Sequence, residues 1–187
     1  MTKWKTWTRK QVERIFKGSA PWQIDLIMIE PSFFISNVNI TGKIQPNPGP
    51  NLLMGFGISV DKGWEPLLKT IITRAKQGRL GWEVHKTGKY PPGEDATWYG
   101  DSEFDLYKKN PFDELKFDQI KEKFGGLRVY VHGGTREFQD FVESVCEVSY
   151  HICEKCGAPG EFRKELPWML TLCDLCLKIH LEAGGQL

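Results

Sequence analysis

Apolar residues recur along this chain with two different periods, and each period predicts an element. In WTRKQVERIFKG, residues 7–18, Val12, Ile15 and Phe16 fall on one side of a helix. Thr8 and Gln11 fit a capping box, Trp7 and Val12 fit a hydrophobic staple, and Gly18 supplies a stop. A helix is predicted over 9–17. The runs QIDLIMIE and FFISNVNITGK, within 22–43 and separated by Pro31-Ser32, are apolar and β-branched and predict two strands. QPNPGPN, 45–51, is rich in turn formers and marks the internal boundary. Beyond it, ISVDKGWEPLLKTIITRAKQG predicts a strand and then a helix ending at Gly78. Trp64, Leu67, Leu68, Ile71, Ile72 and Ala75 repeat at helical spacing, so one face of that helix is buried. Residues 84–112 are polar and broken by Pro91, Pro92, Gly93 and Pro111, and predict a long loop. FDQIKEKFGGLRVYV, 117–131, predicts two strands about a Gly125-Gly126 turn. A helix follows from Thr135, with Phe138, Phe141, Val142, Val145 and Val148 as its buried stripe, and leads into Cys153.

The expected fold class is α+β: a small mixed sheet with two main helices and a C-terminal treble-clef or zinc-ribbon-like module. The expected organisation is an N-terminal extension, 1–50, with a basic helix and two strands, then an α+β core, 51–150, carrying an acidic-aromatic loop at 84–112. A metal-binding module, 151–187, completes it. Composition agrees, since 187 residues with 40% hydrophobic and 26% charged side chains are ordinary for a chain that buries a core. No secretory signal is visible at the N-terminus. The most apolar run, IDLIMIEPSFFI, is interrupted by Asp25, Glu30 and Pro31 and cannot span a bilayer. The expectation is a soluble cytoplasmic protein without membrane contact. In a reducing compartment, cysteine pairs favour metal over disulfide.

That preference matters because CEKCGAPGEFRKELPWMLTLCDLC, 153–176, holds two Cys-x-x-Cys pairs with 16 residues between them. The spacing is that of a four-cysteine zinc site. Four thiolates satisfy a tetrahedral ion, each x-x spacing lets two sulfurs converge, and Gly157 permits the bend of a knuckle. Cys153, Cys156, Cys173 and Cys176 are therefore the predicted ligands of one Zn²⁺. A hairpin between the pairs and a helix begun by the second pair give the order of a treble clef or zinc ribbon. With all four positions taken by sulfur, no place remains for water or substrate, so the ion is expected to be structural. His151 and His180 lie close in sequence but are not needed as ligands.

Charge is distributed unevenly although the net is +1. Residues 151–187 carry four basic and five acidic side chains. A tetrathiolate zinc adds about −2, which argues against phosphate binding by the module itself. Residues 1–20 and 62–92 are each net +5. Lys3, Lys5, Arg9, Lys10, Arg74, Lys76 and Arg79, with nearby tryptophans, form an alternative nucleic-acid surface. Helical periodicity already accounts for Trp7 and Trp64, so solvated helix faces are the first reading of these segments. Residues 93–118 have the opposite sign, eight acidic against three basic side chains. There Trp98, Tyr99, Asp101, Glu103, Asp105 and Tyr107 form a candidate contact for a protein partner. Asp105, Glu114 and Lys116 weakly resemble the acidic and lysine positions of a metal-dependent nuclease, a second alternative. VHGGT ahead of the Thr135 helix is read as a capped tight connection, and Cys146 as a small core residue.

Three stretches taken together, GWEPLLKTI (63–71), QIKEKFGGLRVYV (119–131) and the CEKCGAPG…W…TLC run (153–173), resemble a group of small bacteriophage- and prophage-encoded proteins. The resemblance covers roughly residues 59 to 177 and leaves the first fifty residues without a counterpart. It implies a phage or prophage origin, a host-cytoplasm setting and a zinc site at the four cysteines. It implies no catalytic residue. The function expected is that of a non-enzymatic accessory protein that binds a host or phage macromolecule and modulates it, with a counter-defence or host-takeover role in view.

Overall fold

The computed structural model describes residues 6–38, 44–89 and 103–185, with the side chains of 37, 38, 44–48, 52 and 53 left aside. Trp98, Tyr99, Asp101, Lys3 and Lys5 lie outside the described residues. The fold is α+β, with five α-helices and three small sheets among the described residues.

The first helix, α1 (Arg9–Ile15), starts as expected. The Thr8 side chain accepts from the Gln11 backbone N–H, and Gln11 Oε1 accepts from Thr8 N–H at 2.8 Å. The next element corrects the sequence reading: α2 (Pro21–Ile29) is a helix and not a strand. Pro21 occupies the first helical turn, where a missing N–H costs nothing, and Gln23 reaches back to the Ala20 N–H at 2.9 Å. Strand β1 (Ile35–Val38) pairs antiparallel with β2 (Ile44–Pro50), so QPNPGP is a strand rather than a free connector. A two-stranded ribbon leaves each strand one outer edge, where proline's lack of a donor is tolerated.

The central sheet joins β3 (Ile58–Ser59), β4 (Lys116–Lys123) and β5 (Gly126–His132) in that order. The β3–β4 pair is parallel, and β4–β5 is the expected hairpin. Its tip places Phe124 at φ 54° and Gly125 at φ 71°. Helix α3 (Glu65–Thr87) runs nine residues beyond the expected stop at Gly78. A Cβ on Gly78 would lie 2.4 Å from Phe112 Cζ, so this glycine admits an aromatic ring and does not end the helix. The predicted loop therefore begins after α3, at Gly88, with its left-handed φ of 65°. Helix α4 (Arg136–Val148) is capped by Thr135, whose side chain accepts from the Phe138 N–H at 3.1 Å.

One apolar cluster joins these parts, from Val12, Ile24 and Phe33 through Trp64, Leu68 and Ile72 to Phe117, Leu127 and Phe138. It thus crosses the boundary drawn at residue 50. Inside it, Arg79 is 1% exposed. Its guanidinium donates to the Phe112 carbonyl at 2.8 and 3.2 Å and to Ser32 Oγ at 2.9 Å, and lies 4.1 Å over the Phe33 ring.

Candidate metal centre

The last part of the chain is a small hairpin and helix with its own core. Strand β6 (Glu161–Arg163) pairs antiparallel with β7 (Leu170–Leu172), and α5 (Asp174–Glu182) follows. Leu166, Leu170, Leu172 and Cys153 are buried together. The first cysteine pair sits on a tight turn in which Gly157 N–H donates to Cys153 O at 2.8 Å, with Gly157 at φ 78°. The second pair opens α5, where Cys173 is the N-cap and its Sγ accepts from the Cys176 N–H at 3.5 Å. The knuckle and helix start expected from the spacing are both present.

The turn and the helix start bring the four Sγ atoms within 4.8 Å of one another. Cys156 Sγ and Cys173 Sγ are 3.7 Å apart. A disulfide needs about 2.05 Å. A tetrahedron with metal–sulfur bonds of about 2.3 Å has edges of about 3.8 Å. The quartet fits one ion and is a site able to hold a metal. Among the described residues no second group of three or more metal-ligating side chains meets, and neither His151 nor His180 belongs to this one.

The thiols are matched to that role. Burial pushes the Cys153 thiol up, but hydrogen bonds from backbone N–H groups at Cys173, Cys156 and Lys155 outweigh it and bring the pKa down to about 7. Cys176 is pushed up, by burial and then by hydrogen bonding among the other sulfurs. Four sulfurs this close do not all ionise by themselves; a divalent cation is the partner that lets every one become a thiolate.

The metal module is seated on the core by contacts that sequence reasoning missed. Gly63 N–H donates to Glu154 O at 2.8 Å, Trp64 Nε1 donates to Ile152 O at 2.8 Å, and Lys155 Nζ meets Asp61 at 2.6 Å. Thr171 Oγ1 donates to the Gly125 carbonyl at 2.6 Å, tying β7 to the hairpin tip. Glu154 is 3% exposed, and burial holds its carboxyl up to about 7 against the pull of Lys155. The Lys-Gly-Trp run before α3 was the available signal, since a glycine beside a buried tryptophan often marks close backbone approach.

The remaining candidate residues are dispersed. Asp105 is exposed on a short 3-10 turn and accepts from Lys86 at 3.0 Å, with His85 at 2.8 Å; the His85 bond, then Lys86, hold its carboxyl below the usual range. Glu103 accepts from the Arg136 N–H at 2.8 Å, and Tyr107 is half-buried. Lys116 donates to the carbonyls of Ser32 and Ile35, and burial, then Arg79, lower its pKa. Glu114 is exposed. Asp105, Glu114 and Lys116 thus do not form a metal-binding group. Of the basic set, Arg9 pairs with Glu13 and Asp25, Arg74 pairs with Glu137, and Lys10 is exposed. Lys76 is half-buried, and Arg79 is interior, a correction to its place on a phosphate-facing surface. No helix among the described residues is long and apolar enough to cross a membrane. Comparison with family models, with curated proteins and with solved structures finds no match to this chain.

Proposed function

We propose that Cys153, Cys156, Cys173 and Cys176 bind a single Zn²⁺ and that the ion is structural. The chain is then a non-enzymatic accessory protein that works by binding a host or phage macromolecule. The observation that carries this reading is the closed quartet of sulfurs with a 3.7 Å edge. All-thiolate coordination favours zinc over harder ions and leaves no position for water. The ion stabilises the hairpin-helix unit, because binding free energy becomes folding free energy where the ligands come from a small module. The run KEKFGGLR followed by a helix and CEKCGAPG supports the phage-type setting.

Elemental analysis of purified protein should return one zinc per chain, and a cobalt-substituted sample should show the spectrum of a tetrahedral all-sulfur site. Protein without bound metal, or an ion carrying an exchangeable water, would overturn the reading. For the partner, a tagged chain should recover a defined component from infected cells, less so when residues within 98–107 are changed. Recovery that ignores those changes moves the contact elsewhere.

A further inference from the structure

The β4–β5 hairpin has two faces of opposite character. Ile120, Leu127, Val129 and Val131 turn to the core. By strand alternation, Gln119, Lys121 and Lys123 on β4 and Arg128, Tyr130 and His132 on β5 occupy the outer face. Register places Lys121 directly opposite Arg128 and Gln119 opposite Tyr130. Like charges directly opposed across an antiparallel ladder oppose folding, so this pair is not there to hold the sheet together.

Aromatic rings stand beside these cations. Lys121 Nζ lies 5.4 Å from the Tyr130 ring, Lys123 Nζ lies 5.2 Å from Phe124, and Arg128 donates to the Tyr150 hydroxyl at 2.6 Å and to the Leu127 carbonyl at 2.9 Å. Asp118 at this face is bonded to His132 at 2.8 Å and to Asn51 at 2.9 Å. Glu122 points away, toward the Gly125 N–H and Trp168. Among the described residues, Lys121, Lys123 and Arg128 thus share this face with Asp118, already engaged, while Glu147 lies near Arg128 at its edge. Tyr130 stands 44% exposed among them, and Phe124 is 56% exposed at the tip. The aromatic row continues through Tyr150 to Phe162 on β6, ring centroids 5.3 Å apart, and so reaches the cysteine module.

A sheet face with protruding rings between lysines and an arginine matches a strand of unpaired bases: rings stack on bases and cations take phosphates. A duplex hides its base faces, and an acidic polypeptide offers charge but nothing to stack. We propose that the outer face of β4–β5 binds single-stranded nucleic acid, with Tyr130 as the stacking residue and Lys121, Lys123 and Arg128 as the phosphate contacts. This rests on the reading of the chain as a binding protein and names what it binds. The site is separate from the basic segments 1–20 and 62–92, whose Arg9 and Arg74 are neutralised by carboxylates and whose Arg79 is buried.

The test is fluorescence anisotropy of the zinc-loaded full chain with labelled oligothymidylate and oligouridylate, which also decides between DNA and RNA. Three phosphate contacts predict a slope of log affinity against log salt of about −2. Tyr130→Ala should weaken binding about tenfold with the slope unchanged, while Tyr130→Phe should bind like the parent. The double change Lys121→Gln with Lys123→Gln should flatten the slope to about −0.7. The inference falls if neither oligonucleotide binds in about 50 mM salt, or if binding is indifferent to all of these changes. It falls equally if poly-glutamate competes as well as the oligonucleotide and Tyr130→Ala changes nothing. Metal content measured on each variant separates these results from failure of the zinc assignment, which would appear as a chain without ion.

Discussion

Replacing Gly63 by alanine probes how firmly the metal module is seated. An added Cβ would lie 2.2 Å from the Cys153 carbonyl oxygen and 2.4 Å from that of Glu154. Real Cβ atoms keep at least about 3.0 Å from such neighbours, and both obstacles are backbone, so no rotamer relieves the overlap. The two segments must separate by about 1 Å, which stretches two hydrogen bonds of 2.8 Å, Gly63 N–H to Glu154 O and Trp64 Nε1 to Ile152 O, beyond useful length. Each is worth about 1–1.5 kcal/mol, and packing lost around Trp64 adds a similar amount, so the cost is about 3 kcal/mol. For a chain of this size that is a fall of about 6–12 °C in midpoint. Urea and thermal unfolding of the zinc-loaded proteins measure it. Gly55→Ala is the control, because a Cβ there meets nothing within 4 Å. The four cysteines are untouched, so the Gly63 variant should bind metal as the parent does. Stability within about 0.5 kcal/mol of the parent would refute the docking described above.

Three further outcomes follow from the same geometry. Arg79→Met removes both donors to the Phe112 carbonyl and the cation 3.5 Å from Glu30, a carboxylate 14% exposed, and should cost about 3–5 kcal/mol in chemical unfolding. Glu154 keeps its proton up to about pH 7 when folded and loses it near 4.5 when unfolded, so its contribution is present in acid and is lost as pH rises between those values. Glu154→Gln should therefore match the parent near pH 4, below both values, and exceed it by at most about 3 kcal/mol above pH 7, read as the difference between paired urea curves. Chelation, or Cys156→Ser, should remove bound zinc and lower the unfolding midpoint steeply; unchanged midpoints would mean that the ion holds nothing together.

The parts legible in the sequence were those whose signals are local. The capping box at Thr8, the hairpin about Gly125, the Thr135 cap and each Cys-x-x-Cys pair lie within a few neighbouring residues, and each is found where expected. The misread parts depend on distant partners. Pro21–Ile29 buries Ile24, Leu26 and Ile27 and packs Trp22, Met28 and Ile29 against the same cluster, so its apolar residues surround the helix and show no 3.6 period. Gly78 resembles a helix stop until Phe112, 34 positions away in sequence, is seen filling the space of its missing side chain. The seating of the cysteine module on Gly63 and Trp64 spans about ninety residues and leaves no periodic trace. The hairpin was visible as two strands about a turn, but only the register shows Lys121 confronting Arg128.

The turn joining β4 to β5 carries an uncompensated cost. Phe124 adopts a left-handed backbone that glycine or asparagine occupies with ease and that a bulky side chain adopts at a cost of about 1 kcal/mol. Its ring, exposed to solvent, gains little burial in return. Selection for thermal endurance alone would place asparagine there, making the Asn-Gly pair that suits a tight reversal. Anyone engineering a hardier version would begin at this position, and the Phe124→Asn protein should melt later than the parent.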